Sequence, residues 1–391
     1  MRTIDSTLYI RKTFQSGFFS LFLFVLMAGP AFSQATNSDF ERIKLNSTGF
    51  EYSGLALSPD GKTVALCGKK SSPVRLIDWS SRQLISEFTS GGGIYGNKVS
   101  YSAGGKYLLL KELNYAEFSQ NKNLKIDFGI FDATSGKLIR KFEKVQDVVI
   151  SNDEQQVVCL NDDEIVFSNP ESGEKYKSIR VPGAANAVAL NQDGKILAVS
   201  QMISGDDVAH LFVKNKKGLN AAVKYKQMVS LYDAGTGSKI AAIDELYDLI
   251  YDLSFAPGGD LLFVYQTPEI QTQAVNNKLT FINLIDAVSK QPLRKGFTSM
   301  SVAQPELKIS NNQKLVAINS KGNRFQEIHL YDAETGTLQK RFELGSRLFE
   351  KVDGEKITSD SRPSFIFLPG DQSILIAVGN QLIQWNFEFN P

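Results

Sequence analysis

Two nearly identical phrases, "LYDAGTGSKI" from Leu231 and "LYDAETGTLQ" from Leu330, each place a carboxylate three residues before a threonine hydroxyl. A carboxylate so spaced can join a cation site, accept a proton, or close a turn on its own backbone. A second constellation, "GDDVAH", sets Asp206 and Asp207 close to His210, a metal-ligand set in outline but without a second histidine nearby or a recognised ligand spacing. His329 is the only other histidine, and Cys67 and Cys159 are the only thiols. No G-x-S-x-G, H-E-x-x-H or phosphate-loop motif occurs. Which chemistry survives depends on the elements that hold these residues.

Those elements repeat. An apolar alternation broken by a turn rich in Gly, Asp, Asn and Pro recurs as "LALSPDGKTVALC" (Leu55), "VSYSAGGKYLLL" (Val99), "VVISNDEQQVVCL" (Val148), "AVALNQDGKILAV" (Ala187), "DLSFAPGGDLLFV" (Asp252), "LKISNNQKLVAI" (Leu307) and "FIFLPGDQSILIAV" (Phe365). Each copy reads as two short strands joined by a tight turn. The phrase with the repeated Asp follows each copy and adds two more strands, except that the last, "LIQWNFEF" from Leu382, is truncated. The missing strand is available in "FERIKLN", Phe40 to Asn46, just before the first unit.

Seven such units resemble WD40-like and YVTN-like repeats. The resemblance implies an all-β, seven-bladed β-propeller of four-stranded blades, closed by the N-terminal strand completing the last blade. It covers the chain from residue 34 onward. The usual Gly-His dipeptide is missing, so the Asp-His-Ser/Thr-Trp network of the standard family is not carried over, and a divergent bacterial type is expected.

Aligned, the phrases put Asp78, Asp132, Asn169, Asp233, Asp286, Asp332 and Asn386 in one column. A hydroxyl follows three residues later in the six complete copies, and then Gly in four of them, with Arg82 and Lys290 in the others. This is turn chemistry: a short acceptor opens the turn and a residue at positive φ closes it. One carboxylate per blade is too dispersed for a Ca²⁺ site. Cys67 and Cys159 fall in the second strands of blades one and three, so two buried free thiols are expected rather than a disulfide.

Residues 1–33 read as a signal peptide. Arg2, Arg11 and Lys12 precede the apolar run Gly17 to Gly29, and Ala31 and Ser33 are spaced as a signal-peptidase site requires. Cleavage there leaves 40 basic and 41 acidic side chains of the original 43 and 42, a balance that gives no reason to expect nucleic-acid binding. A single propeller domain at 34–391, exported to the periplasm or outside the cell and monomeric, is expected.

Extra length is concentrated in the second-to-third-strand and blade-to-blade connections, Glu112 to Lys125, Gln201 to Lys226, Gln266 to Lys278, Asn319 to Gln326 and Glu343 to Arg362. Loops elaborated on one face of a rigid scaffold suit binding. The longest, read as a loop, interleaves His210, Phe212, Lys214, Lys216, Lys217 and Tyr225, while Arg324 sits on the same face and Tyr115 and Phe118 are similar candidates in blade two. These residues suit an acidic protein or glycan partner, or else simply solvate and pack the loops. The innermost strands are expected to offer the channel mostly apolar and small side chains. The function expected is therefore non-catalytic binding of a protein or extracellular polymer through the long-loop face and central funnel, with no cofactor or metal. A propeller enzyme, such as a sugar lactonase or quinone-dependent dehydrogenase, is the alternative.

Overall fold

The computed structural model describes residues 40–45, 51–70, 72–91, 93–113, 124–257, 259, 261–267, 279–300, 306–322, 326–344 and 362–387. Their strands form seven four-stranded antiparallel sheets, the blades of a ring. In six blades the four strands are consecutive in the chain. The seventh takes its outermost strand from the other end of the sequence: Phe40–Ile43 pairs with Gln381–Asn386, Phe40 opposite Trp385 and Ile43 opposite Leu382. That pairing covers an edge that would otherwise present open N–H and C=O groups.

The period of two in each strand decides where the core lies, because alternate side chains face opposite neighbouring blades. In blade 1, Val64 and Leu66 enter an apolar cluster with Leu375 and Ala377 of blade 7, whereas Ala65 and Cys67 enter another with Leu108 and Leu110 of blade 2. The same division gives a buried cluster between each pair of consecutive blades. Sheets buried on both faces explain strands that read as nearly continuous apolar runs. Cys159 belongs to the cluster between blades 2 and 3, one blade away from that of Cys67, and both thiols are free and buried. Burial pushes the Cys159 thiol up to about 11 and that of Cys67 higher still.

Between the third and fourth strands the repeated acidic residue folds onto its own turn. Asp78 Oδ1 accepts the backbone N–H of Ser81 at 2.7 Å and its hydroxyl at 2.8 Å. Asp132 with Ser135, Asp233 with Thr236 and Asp332 with Thr335 repeat both bonds, and Asn169 accepts the N–H of Ser172 at 2.8 Å. The next residue is left-handed in every complete copy, at φ +61° for Arg82, +68° for Gly136, +72° for Gly173, +77° for Gly237, +60° for Lys290 and +71° for Gly336. Strand register shifts beside each of these turns, the mark of a bulge that realigns the outer strand. Asn386 ends the last third strand and accepts instead from Gln384 Nε2 at 2.9 Å.

Candidate functional site

Consecutive antiparallel strands send these Asp turns to one end of each blade and the second-to-third-strand connections to the other. Of the long connections, Gln201–Lys226 in blade 4 is described throughout, and it is helical rather than a loop. A short helix α1 (Gly205–Val208) runs into a 3-10 turn (Ala209–Phe212), and α2 (Lys216–Tyr225) follows. Leu219, Ala222 and Val223 recur at three- and four-residue spacing, giving α2 one apolar side. That side packs with Val208, Phe212, Ile203 and Met228 in a small core of its own. Asn215 caps α2 by accepting the Gly218 N–H at 2.9 Å, and Lys239 of the outermost strand holds α1 through Asp207 at 2.8 Å.

This packing sorts the residues singled out from the sequence. Phe212 is turned inward, and Tyr225 is half-buried with the Lys224 ammonium 5.0 Å from its ring centre. Lys214, Lys216, Lys217 and Lys224 are exposed. Leu211 and Val213, which the sequence did not single out, flank Phe212 with 42% and 72% exposure, just ahead of Lys214, Lys216 and Lys217 in the chain. His210 meets Asp244 at 3.1 Å on the surface, while Asp207 is engaged by Lys239; the "GDDVAH" residues do not converge. Among the described residues no three His, Cys, Asp or Glu side chains gather as a metal site. Tyr115, Phe118 and Arg324 lie outside the described residues, as does the segment 1–33. Among the described residues no helix is long and apolar enough to cross a membrane.

The channel departs from expectation. The residues four places before Ser58, Ser102, Ser151, Asn191, Ala256, Ser310 and Leu368, which open the first-to-second-strand turns, form one level of the innermost strands: Gly54, Lys98, Asp147, Ala187, Asp252, Glu306 and Ser364. Four of the seven are charged, and Lys308, with Lys111 from a second strand, adds two more cations. Lys98, Lys111, Asp147, Asp252 and Lys308 line one cavity of about 270 Å³ together with Ser100, Ser254 and Tyr265. A single charge per strand looks incidental in the sequence. Only ring closure brings the charges together, although aligning the copies on their first turns puts them in one column.

Within this cluster two acids are already answered. Asp147 accepts the backbone N–H of Val148 and, across the blade boundary, that of Val188, each at 3.0 Å, and Lys111 lies 3.7 Å away. Burial nevertheless pushes its carboxyl up to about 6, aided by the nearby Asp252 charge. Burial works against the Lys111 charge too, but Asp147 and Asp252 outweigh it and raise that ammonium. Glu306 accepts the Ser364 hydroxyl at 3.2 Å and pairs with Lys308 at 3.4 Å. Lys98 and Asp252 have no ion pair among the described residues. Desolvation lowers the Lys98 ammonium, with Glu306 and Asp252 opposing that shift from a distance.

No protein-family model matches the chain, and no curated protein matches it. The seven-bladed propeller is established by the sheet topology itself.

Proposed function

We propose that this chain is an exported, non-catalytic propeller, a divergent relative of the WD40-like and YVTN-like proteins, that binds an acidic protein or extracellular polymer through the blade 4 insertion. The supporting observation is the way α2 docks. Its apolar side is spent on the blade, so Lys216, Lys217 and Lys224 of α2 are left exposed, and Leu211, Val213 and Lys214 just before the helix are exposed as well. Exposed cations and apolar groups on one insertion suit a partner that offers carboxylates and an apolar contact. Export is supported by the pattern of residues 1–33.

Deleting the insertion would uncover Met228 and Ile203, so surface substitutions are the cleaner test. Surface plasmon resonance on immobilised poly-L-glutamate and alginate should show salt-sensitive binding, lost when all four lysines become Glu and weakened in Leu211→Ser/Val213→Ser. Equal binding by the wild-type and four-Glu proteins, with unchanged thermal melting, would refute the insertion as the docking surface. The enzyme alternative draws support only from the charges that converge in the channel. Hydrolysis of simple lactones or dye-linked sugar oxidation by the purified protein, abolished in Lys98→Met, would be the result in its favour.

A further inference from the structure

We propose that the channel cavity binds a small zwitterion, a free amino acid, with its carboxylate on Lys98 and its ammonium group on Asp252. The inference is independent of the partner surface on blade 4. Lys98 belongs to blade 2 and Asp252 to blade 5, so the two charges face each other from opposite parts of the ring. The Asp252 charge acts on Lys98, yet no ion pair joins them. The Lys98 ammonium has no hydrogen bond or ion pair among the described residues, and Asp252 has only the Leu253 N–H at 2.9 Å. The other four charges of the cluster are taken up in the Lys111–Asp147 and Lys308–Glu306 pairs.

The charge count decides the class of ligand. Three cations and two anions line the cavity, and Glu306, outside the lining, neutralises Lys308, so a simple anion on Lys98 would face Asp252, and a simple cation on Asp252 would face Lys98. A desolvated charge left without a partner is costly. A molecule carrying both signs answers both residues at once. Size points the same way, because about 270 Å³ is below the roughly 300–1,000 Å³ typical of pockets for drug-sized ligands. Ser100, Ser254 and Tyr265 add polar groups along the wall.

The test is calorimetric titration of the intact protein with the twenty common L-amino acids, followed for any binder by its N-acetyl and carboxamide derivatives and by acetate and methylammonium. At least one free amino acid should bind saturably at one site, and removing either of its charges should weaken binding at least about tenfold, as expected for a lost charged hydrogen bond. Lys98→Met and Asp252→Asn should each weaken binding by a similar factor, with the unliganded melting temperature recorded for both. The derivative series uses the wild-type protein, so it decides the matter even if a variant fails to fold. Absence of binding by all twenty, or equal binding of acetate or of the blocked derivatives, overturns the proposal.

Discussion

Ser364 Oγ accepts the backbone N–H of Leu55, 309 positions earlier in the chain, at 3.2 Å. The same hydroxyl donates to Glu306 Oε1, so one buried side chain links blades 6, 7 and 1 where the two ends of the chain meet. Ser364→Ala would leave a buried N–H and a buried carboxylate each short of a partner. We expect a loss of about 1–3 kcal/mol, read as a lower urea midpoint at an unchanged slope.

The second seam of closure is apolar. Trp385 is fully buried opposite Phe40 and stacks on Phe342 of blade 6 at 5.2 Å, while Phe40 meets the same Phe342 ring edge-on at 6.1 Å. Trp385→Ala should cost about 3–5 kcal/mol by cavity formation. Removing Phe40–Ile43 should in addition expose the Gln381–Asn386 edge, so size-exclusion chromatography of that variant should show self-association that Trp385→Ala alone does not produce.

These seams show what was legible in the sequence. Seven copies of a two-strand pattern, with the outer strand of the last copy missing and a spare strand before the first, were enough for blade number and closure. Local chemistry was enough for the Asp turns, whose partners lie within four residues. The α2 helix was missed because its apolar stripe is three residues long and lies in a lysine-rich stretch, although Asn215 before Lys216 is a capping signal. The channel charges were missed for another reason. Lys98, Asp252 and Glu306 are more than fifty residues apart from one another, and nothing local says that they share a cavity.

The turn acids contribute to the acid sensitivity of the fold. Asp78 is held down to about 2, first by the Ser81 N–H and then by the Ser80 and Ser81 hydroxyls. Asp132 is lowered mainly by the Ser135 hydroxyl, Asp233 by the Thr236 N–H and Asp286 by the Ser289 N–H. A carboxyl lowered on folding stabilises fully above its unfolded value of about 3.9 and loses that contribution as the pH falls toward its folded value. Asp147 has the opposite sign, since a carboxyl raised to about 6 favours the folded state as it protonates below that pH. Urea midpoints should therefore rise between pH 6 and 4 as Asp147 protonates and fall below 4 as the turn acids do. Asp78→Asn should flatten the fall, because Asn169 makes the same N–H bond without a titrating group.

Lys290 and Gly136 occupy the same left-handed turn position with different consequences for substitution. A side chain at positive φ costs roughly 1 kcal/mol, and Lys290 is exposed with φ +60°. Lys290→Gly should raise stability by up to about 1 kcal/mol, less the added freedom of the unfolded chain. Gly136→Ala meets the same backbone cost and also drives a Cβ into the ring of Phe88, a side chain packed against the core between blades 1 and 2. Overpacking there should bring the total loss to roughly 2–4 kcal/mol. Arg82 is not an equivalent test, since its guanidinium lies over the Trp79 ring and donates to the Trp79 carbonyl. Paired urea titrations should give opposite signs for Lys290→Gly and Gly136→Ala; destabilisation by both would mean that the Lys290 side chain contributes more than its backbone costs.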